Sequence, residues 1–127
     1  MPIEYEFHGN VCYIVTTGKF SKSDLDEYFQ KMYHEPDFIN CKAIIVHDQK
    51  SLYIPSTEDI RAVASGLRKS IGDFVGKVAV VAETIVKYGM GRMLEVLSND
   101  PGIRVFRTLE KAREWVEMEF AESPNFS

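Results

Sequence analysis

AIIVHD at positions 43–48 decides the fold, because every position before the histidine is apolar and so both of its alternating faces are apolar. A strand with one wet face alternates apolar and polar residues, whereas a strand covered on both sides reads as an unbroken Val/Ile-rich run, typical of the interior of a parallel sheet. VAVVA at 78–82 has the same character. Between the two runs lies a segment with helical spacing: Ser56 is placed as an N-cap with Asp59 three positions on, and Ile60, Val63, Ala64, Leu67 and Ile71 form a core stripe. A strand, a helix and a second buried strand make a right-handed crossover unit.

The flanking sequence extends the same alternation. Upstream, residues 3–8 (IEYEFH) alternate apolar and polar, Gly9-Asn10 turns the chain, and VCYIVTT at 11–17 returns as the second strand of a hairpin. Ser21 with Asp24 resembles a capping box, and Leu25, Tyr28, Phe29 and Met32 repeat at helical spacing until Glu35-Pro36 stops the helix. Downstream, Thr84 caps a helix reaching about position 97, and residues 99–102 (NDPG) form a turn. IRVF at 103–106 is the fifth strand, and Thr108 opens a helix with Leu109, Ala112, Val116 and Phe120 on one face and Trp115 at its flank. The order ββαβαβαβα predicts a single α/β domain over 1–120, with a mostly parallel five-stranded sheet, an antiparallel edge strand and a flexible tail at 121–127.

Composition narrows the function classes. The 127 residues are 45% hydrophobic and 27% charged with a net charge of −4, as expected of one soluble domain that buries its own core. No apolar run nears the roughly 20 residues of a membrane span, and residues 1–7 carry two glutamates without a basic segment leading into an apolar stretch. No signal peptide and no integral membrane association are expected, and the expected location is cytoplasmic. Residues 1–63 hold 6 Lys/Arg against 10 Asp/Glu and residues 64–127 hold 9 against 9, so no basic face for nucleic acid is expected. Cys12 and Cys41 have no second Cys or His at ligand spacing and read as reduced thiols. His8 and His34 stand far from any such group, and neither a metal nor a cofactor is expected.

Ligands of open parallel sheets gather outside the carboxyl ends of the strands. That rim holds Thr16, Thr17, His47, Asp48, Ala82, Glu83, Phe106 and Arg107, with Ser51 and Ser56 in the loop beyond Asp48. Thr17, Asp48, Ser56, Thr57 and Arg107 are the candidates for a shallow crevice that binds an anion, since free N–H groups at a helix start favour negative charge. His47 and Asp48 are strand neighbours, point to opposite faces and so form no dyad. No G-x-S-x-G elbow occurs, and GDFVGK at 72–77 is one residue short of a phosphate loop and precedes a strand. No catalytic residue is assigned and no enzymatic activity is expected. GMGRM at 89–93 is unusual, since each helical glycine costs about 1 kcal/mol relative to alanine. Apolar positions of this helix spread over roughly 180° of the wheel, wider than one core contact requires. Ile85, Gly89, Met90, Met93 and Val96 are the candidate apolar groove or partner surface.

The element order, Lys77 leading VAVVA, YGMGRMLE at 88–95 and VFRTLEKAREWV at 105–116 together resemble the STAS superfamily, in its SpoIIAA-like (anti-sigma-factor-antagonist-like) branch, over nearly the whole chain. The resemblance implies a progressive β-α superhelix with helices largely on one sheet face, a distant relation to CRAL-TRIO lipid-binding domains, and regulation through protein partners. STAS antagonists carry a phosphorylatable Ser beside an Asp at the end of this strand. Here Asp48 is followed by Gln49-Lys50-Ser51 and the helix starts at Ser56-Thr57, so that motif is not kept. The expected function is a non-catalytic binding or regulatory module acting through a protein partner, with a small carrier or sensor of an apolar, lipid-like ligand as the alternative. Strands apolar on both faces, with helices on one, leave a face to be covered by a second copy, a displaced helix or a ligand. A homodimer is the expected answer.

Overall fold

The computed structural model describes residues 3–70 and 74–118; Ile71 of the expected α2 stripe, Phe120 of the last helix and the tail at 121–127 lie outside the described residues. The elements run β1 (Ile3–His8), β2 (Val11–Gly18), α1 (Lys22–Tyr33), a 3-10 turn (Pro36–Asn40), β3 (Ala43–Ser51), α2 (Thr57–Ser70), β4 (Lys77–Ala82), α3 (Ile85–Ser98), β5 (Ile103–Phe106) and α4 (Leu109–Glu117). The sheet order is β1-β2-β3-β4-β5, antiparallel for the first pair and parallel thereafter. This is the α/β sheet that the alternation predicts.

Strictly sequential order has a geometric consequence. Each parallel crossover is right-handed and each steps in the same direction, so α1, α2 and α3 all fall on one face. There Phe29, Met32 and Leu67 pack on Cys12, Ile14, Ile44, Val78 and Ile103. Helix α4 follows the last strand, has no crossover to complete, and lies across the other face. Ala112 packs on Ile45, Ala79 and Val81, all fully buried. Of the three coverings expected for that face, the displaced helix of the same chain is the one present. Over β1 the same face carries exposed Glu4, Glu6 and His8. A second copy is therefore not needed to bury the strands.

Helix ends follow the caps. Ser21 Oγ accepts from the Asp24 N–H at 3.2 Å while Asp24 accepts from the Ser21 N–H at 2.9 Å, completing the box. Thr84 and Thr108 accept from the N–H groups of Lys87 and Lys111. The carboxyl end of α4 is held from the sheet: buried Lys77 donates to the Trp115 carbonyl at 2.7 Å and to the Met118 carbonyl, and its Nζ lies 5.1 Å from the centre of the Trp115 ring. A cation there complements the negative end of the helix dipole, while burial pulls its pKa below the ordinary lysine value.

Two local features depart from the sequence reading. Strand β3 continues beyond Asp48 to Ser51, with Lys50 in the left-handed region at φ 56°. A register shift after Thr16 lets Gly18 pair with Ser51, which turns the Ser51 side chain inward. The two glycines of GMGRM also separate. A Cβ on Gly91 would collide with the Val105 side chain of β5, whereas one on Gly89 would meet nothing within 4 Å. Gly91→Ala should therefore destabilise by about 1 to 3 kcal/mol through overpacking. Gly89→Ala should stabilise by up to about 1 kcal/mol through helix propensity. Urea unfolding of the two variants measures this opposition.

Arg68 ties α2 to the loop before β5. Its Nε and Nη2 donate to Asp100 Oδ2 and Oδ1 at 2.8 and 3.1 Å, and its Nη1 donates to the Phe74 carbonyl at 3.0 Å. The guanidinium holds the Asp100 carboxyl below its ordinary value, with the Gly102 N–H helping and burial opposing. A carboxyl whose folded pKa is depressed adds stability that is present above its unfolded pKa and lost as pH falls through the folded value. The urea midpoint should thus fall steadily below about pH 4, and Arg68→Gln should flatten that fall.

Candidate functional site

A cavity of about 170 Å³ lies between the sheet and helices α1 to α3. Protein interiors ordinarily leave few voids larger than a water molecule. Small residues explain this one. Toward the carboxyl ends of the strands the helix-facing side chains shrink to Val46, Val80 and Ala82, and α3 adds the bare backbone of Gly91. Phe20, Leu25, Phe29, Ile60, Leu67, Met90 and Leu94 complete an almost wholly apolar wall.

One part of the wall is ionic. Asp48, on the helix-facing side of β3, accepts from the Thr16 hydroxyl at 2.8 Å and from Lys87 Nζ at 2.7 Å. Lys87 also donates to the carbonyl of Ser51 at 2.5 Å and to its hydroxyl at 2.9 Å. The Lys87 and Asp48 side chains are only 15% and 17% exposed. Two charges this far out of water persist because each is paired and hydrogen-bonded. Next to them Tyr53 donates to Asp59 at 3.2 Å, and burial together with that carboxylate pushes its phenol up to about 12.

Of the residues singled out from the sequence, Asp48 lines this cavity and the other crevice candidates do not join it. Thr17 faces the opposite side of the sheet, and its neighbour Thr16 holds the carboxylate instead. Ser56 Oγ accepts from the Asp59 N–H at 3.0 Å as the cap of α2, and Thr57 is the exposed first residue of that helix. Arg107 is exposed, donates to the Glu83 carbonyl at 3.2 Å and stacks on Tyr88. No hydrogen bond among the described residues links Asp48, Ser56 and Arg107 into one crevice. On α3, Met90 lines the cavity, while Ile85, Gly89, Met93 and Val96 are exposed on the outer side, Ile85 at 77% and Val96 at 71%. His47, as the alternation requires, lies on the other face from Asp48, 3.0 Å from Glu83 Oε2.

Lys87 and the inward-turned Ser51 were not among the sequence candidates. One signal for Lys87 existed: it sits in the first turn of α3, where the helix dipole disfavours a cation and no acid is present. A buried anion offsets that penalty.

The thiols lie at the other end of the strands. Cys12 is buried beside Ile44, and desolvation pushes it up to about 12; Cys41, just before β3, is raised by burial and by Asp37. No group of three or more His, Cys, Asp or Glu among the described residues is placed to hold a metal ion. No described helix is long and apolar enough to cross a membrane.

No family model matches the sequence, and no curated protein matches it. Solved structures do. An anti-sigma factor antagonist from Mycobacterium paratuberculosis superimposes with a TM-score of 0.64 at 17% identity, over 91% of this chain and 93% of that one. The anti-sigma factor antagonist SpoIIAA in its unphosphorylated form gives 0.60 at 13% identity, over 90% and 95%. A DUF3478-family protein with a SpoIIAA-like fold from Shewanella loihica gives 0.55 at 17% identity, over 90% and 91%. Sequential strand order, three helices on one face and agreement along nine-tenths of each chain converge: the protein has the SpoIIAA-like fold.

Proposed function

We propose that the protein is a non-catalytic STAS-like binding module that takes up a small apolar molecule between its sheet and helices α1 to α3. The cavity carries this reading. It is nearly all apolar, and about 170 Å³ is room for one ring with a small substituent, since an apolar cavity of about 150 Å³ holds benzene. A bound molecule would contact α1, α2 and α3 together, so occupancy is coupled to the packing of the whole helical layer. The fold shared with anti-sigma factor antagonists supports a protein partner as the reader of that state.

Native mass spectrometry of freshly purified protein, repeated after organic extraction, tests the carrier reading. It is joined by a toluene titration followed through backbone amide shifts. A bound mass removed by extraction, or saturable shifts at Val46, Val80, Met90 and Leu94, supports it. Protein that carries nothing and responds to no single-ring ligand refutes it.

A second reading concerns the outer side of α3. Gly91 is explained by Val105, but a Cβ on Gly89 would meet none of the described residues within 4 Å, and Gly89 lies on the same helix as exposed Ile85, Val86, Met93 and Val96. The occupant proposed for this surface is a second copy of the chain. Sedimentation equilibrium at micromolar concentration would then give a dimer, and Val96→Glu a monomer. A monomeric parent protein refutes this reading.

A further inference from the structure

The polar part of the cavity wall is unevenly satisfied. An ammonium group has three N–H donors, and all three of Lys87 are engaged, with Asp48, the Ser51 carbonyl and the Ser51 hydroxyl. A carboxylate offers about four acceptor positions, and among the described residues Asp48 uses two, one on each oxygen, for Thr16 and Lys87. The wall therefore has unfilled acceptor capacity at Asp48 while the ammonium has no free proton. A ligand carboxylate or phosphate would bring a second negative charge against Asp48 and find Lys87 already occupied. A hydrocarbon would fill the space and leave the carboxylate as it is. A neutral molecule with one O–H or N–H would do more, making a charge-assisted hydrogen bond to a half-satisfied carboxylate.

We propose that the cavity selects a single aromatic ring bearing an O–H or N–H donor, a phenol-like or arylamine-like molecule whose donor rests on the Asp48 carboxylate. This rests on the apolar-ligand reading above and adds the chemical class. The size agrees, since about 170 Å³ exceeds a benzene-sized cavity by little more than one substituent. The ring would lie along Val46, Val80, Met90 and Leu94, with its donor toward β3. Ordinary apolar cavities discriminate in the opposite sense, because a buried hydroxyl without an acceptor is penalised. Preference for a hydroxyl-bearing ring over an equally large hydrocarbon is thus the signature of the carboxylate.

The unmodified protein is titrated separately with phenol, toluene and benzoate at pH 7.5, and the amide shifts of Thr16, Ser51, Lys87 and Met90 are followed. Phenol should bind about tenfold or more tighter than toluene, and benzoate more weakly than either. Asp48→Asn, which replaces the charged acceptor by a neutral one, should reduce the ratio of phenol to toluene affinity toward one. Because the ligand comparison uses the parent chain, it decides even where that variant does not fold. Toluene binding equal to or tighter than phenol overturns the donor proposal and leaves the apolar-ligand reading standing. Benzoate binding tightest also overturns it and assigns the site to Lys87. Shifts with none of the three overturn both readings together.

Discussion

Lys87→Met should lower the unfolding free energy by about 3 kcal/mol, among the larger losses available to a single substitution in this chain. Removing one member of a buried pair leaves the other charge without compensation, which typically costs 3 to 5 kcal/mol. The lower end applies because the two side chains keep 15% and 17% of their exposure and Thr16 still donates to Asp48. The double variant Lys87→Met/Asp48→Leu should recover most of the loss, since an apolar replacement of a whole buried pair is often neutral or stabilising. A urea-unfolding double-mutant cycle reads the coupling directly. Additive losses would mean that the pair does not act as a unit. The same double variant should lose the phenol preference, so it separates what the ion pair does for folding from what it does for binding.

Ala112→Asp should be at least as damaging, at roughly 4 kcal/mol or more. Ala112 is fully buried against Ile45, Ala79 and Val81, so a carboxylate there would be desolvated among apolar side chains. Typical domains have only about 5 to 15 kcal/mol of total stability, so the variant should either unfold or release α4. Trp115, the one tryptophan of the chain, packs on Phe106 from α4 and reports which occurs. Red-shifted emission with retained far-ultraviolet circular dichroism means that α4 has left an otherwise folded sheet. Loss of both means global unfolding. Emission and stability like those of the parent would show that α4 does not hold the second face.

How much of this was legible in the sequence depends on the range of the contact concerned. The caps at Ser21, Thr84 and Thr108 and the Gly9-Asn10 hairpin are set by residues a few positions apart, and the sequence shows them. The sheet core followed from the two-faced apolar runs. The face chosen by α4 did not: its spacing shows that one side must be buried, but no crossover fixes which side of the sheet receives it. The candidate site was legible only at Asp48. Lys87 meets Asp48 and Ser51 across 39 and 36 positions, and Ser51 turns inward only because of a register shift two strands wide. The sequence places both Thr16 and Thr17 at the rim, and which of the two adjacent threonines faces the helices and Asp48 depends on strand register. The cavity was less visible still, since Val80, Ala82 and Gly91 are each unremarkable alone and leave a void only when brought together.

Sequential strand order also bears on how the chain comes off the ribosome. Every strand pairs with its neighbour in sequence, so the sheet can be laid down in the order of synthesis without waiting for a distant segment. The first hairpin receives β3, β3 receives β4, and each crossover helix arrives before the strand that locks it in place. The cover of the second face comes last. Until α4 has emerged, Ile45, Ala79 and Val81 form an uncovered apolar strip on a sheet that is otherwise complete. A chain whose sheet has formed before α4 docks exposes that strip, so this is the stage at which association with other chains is expected to be strongest.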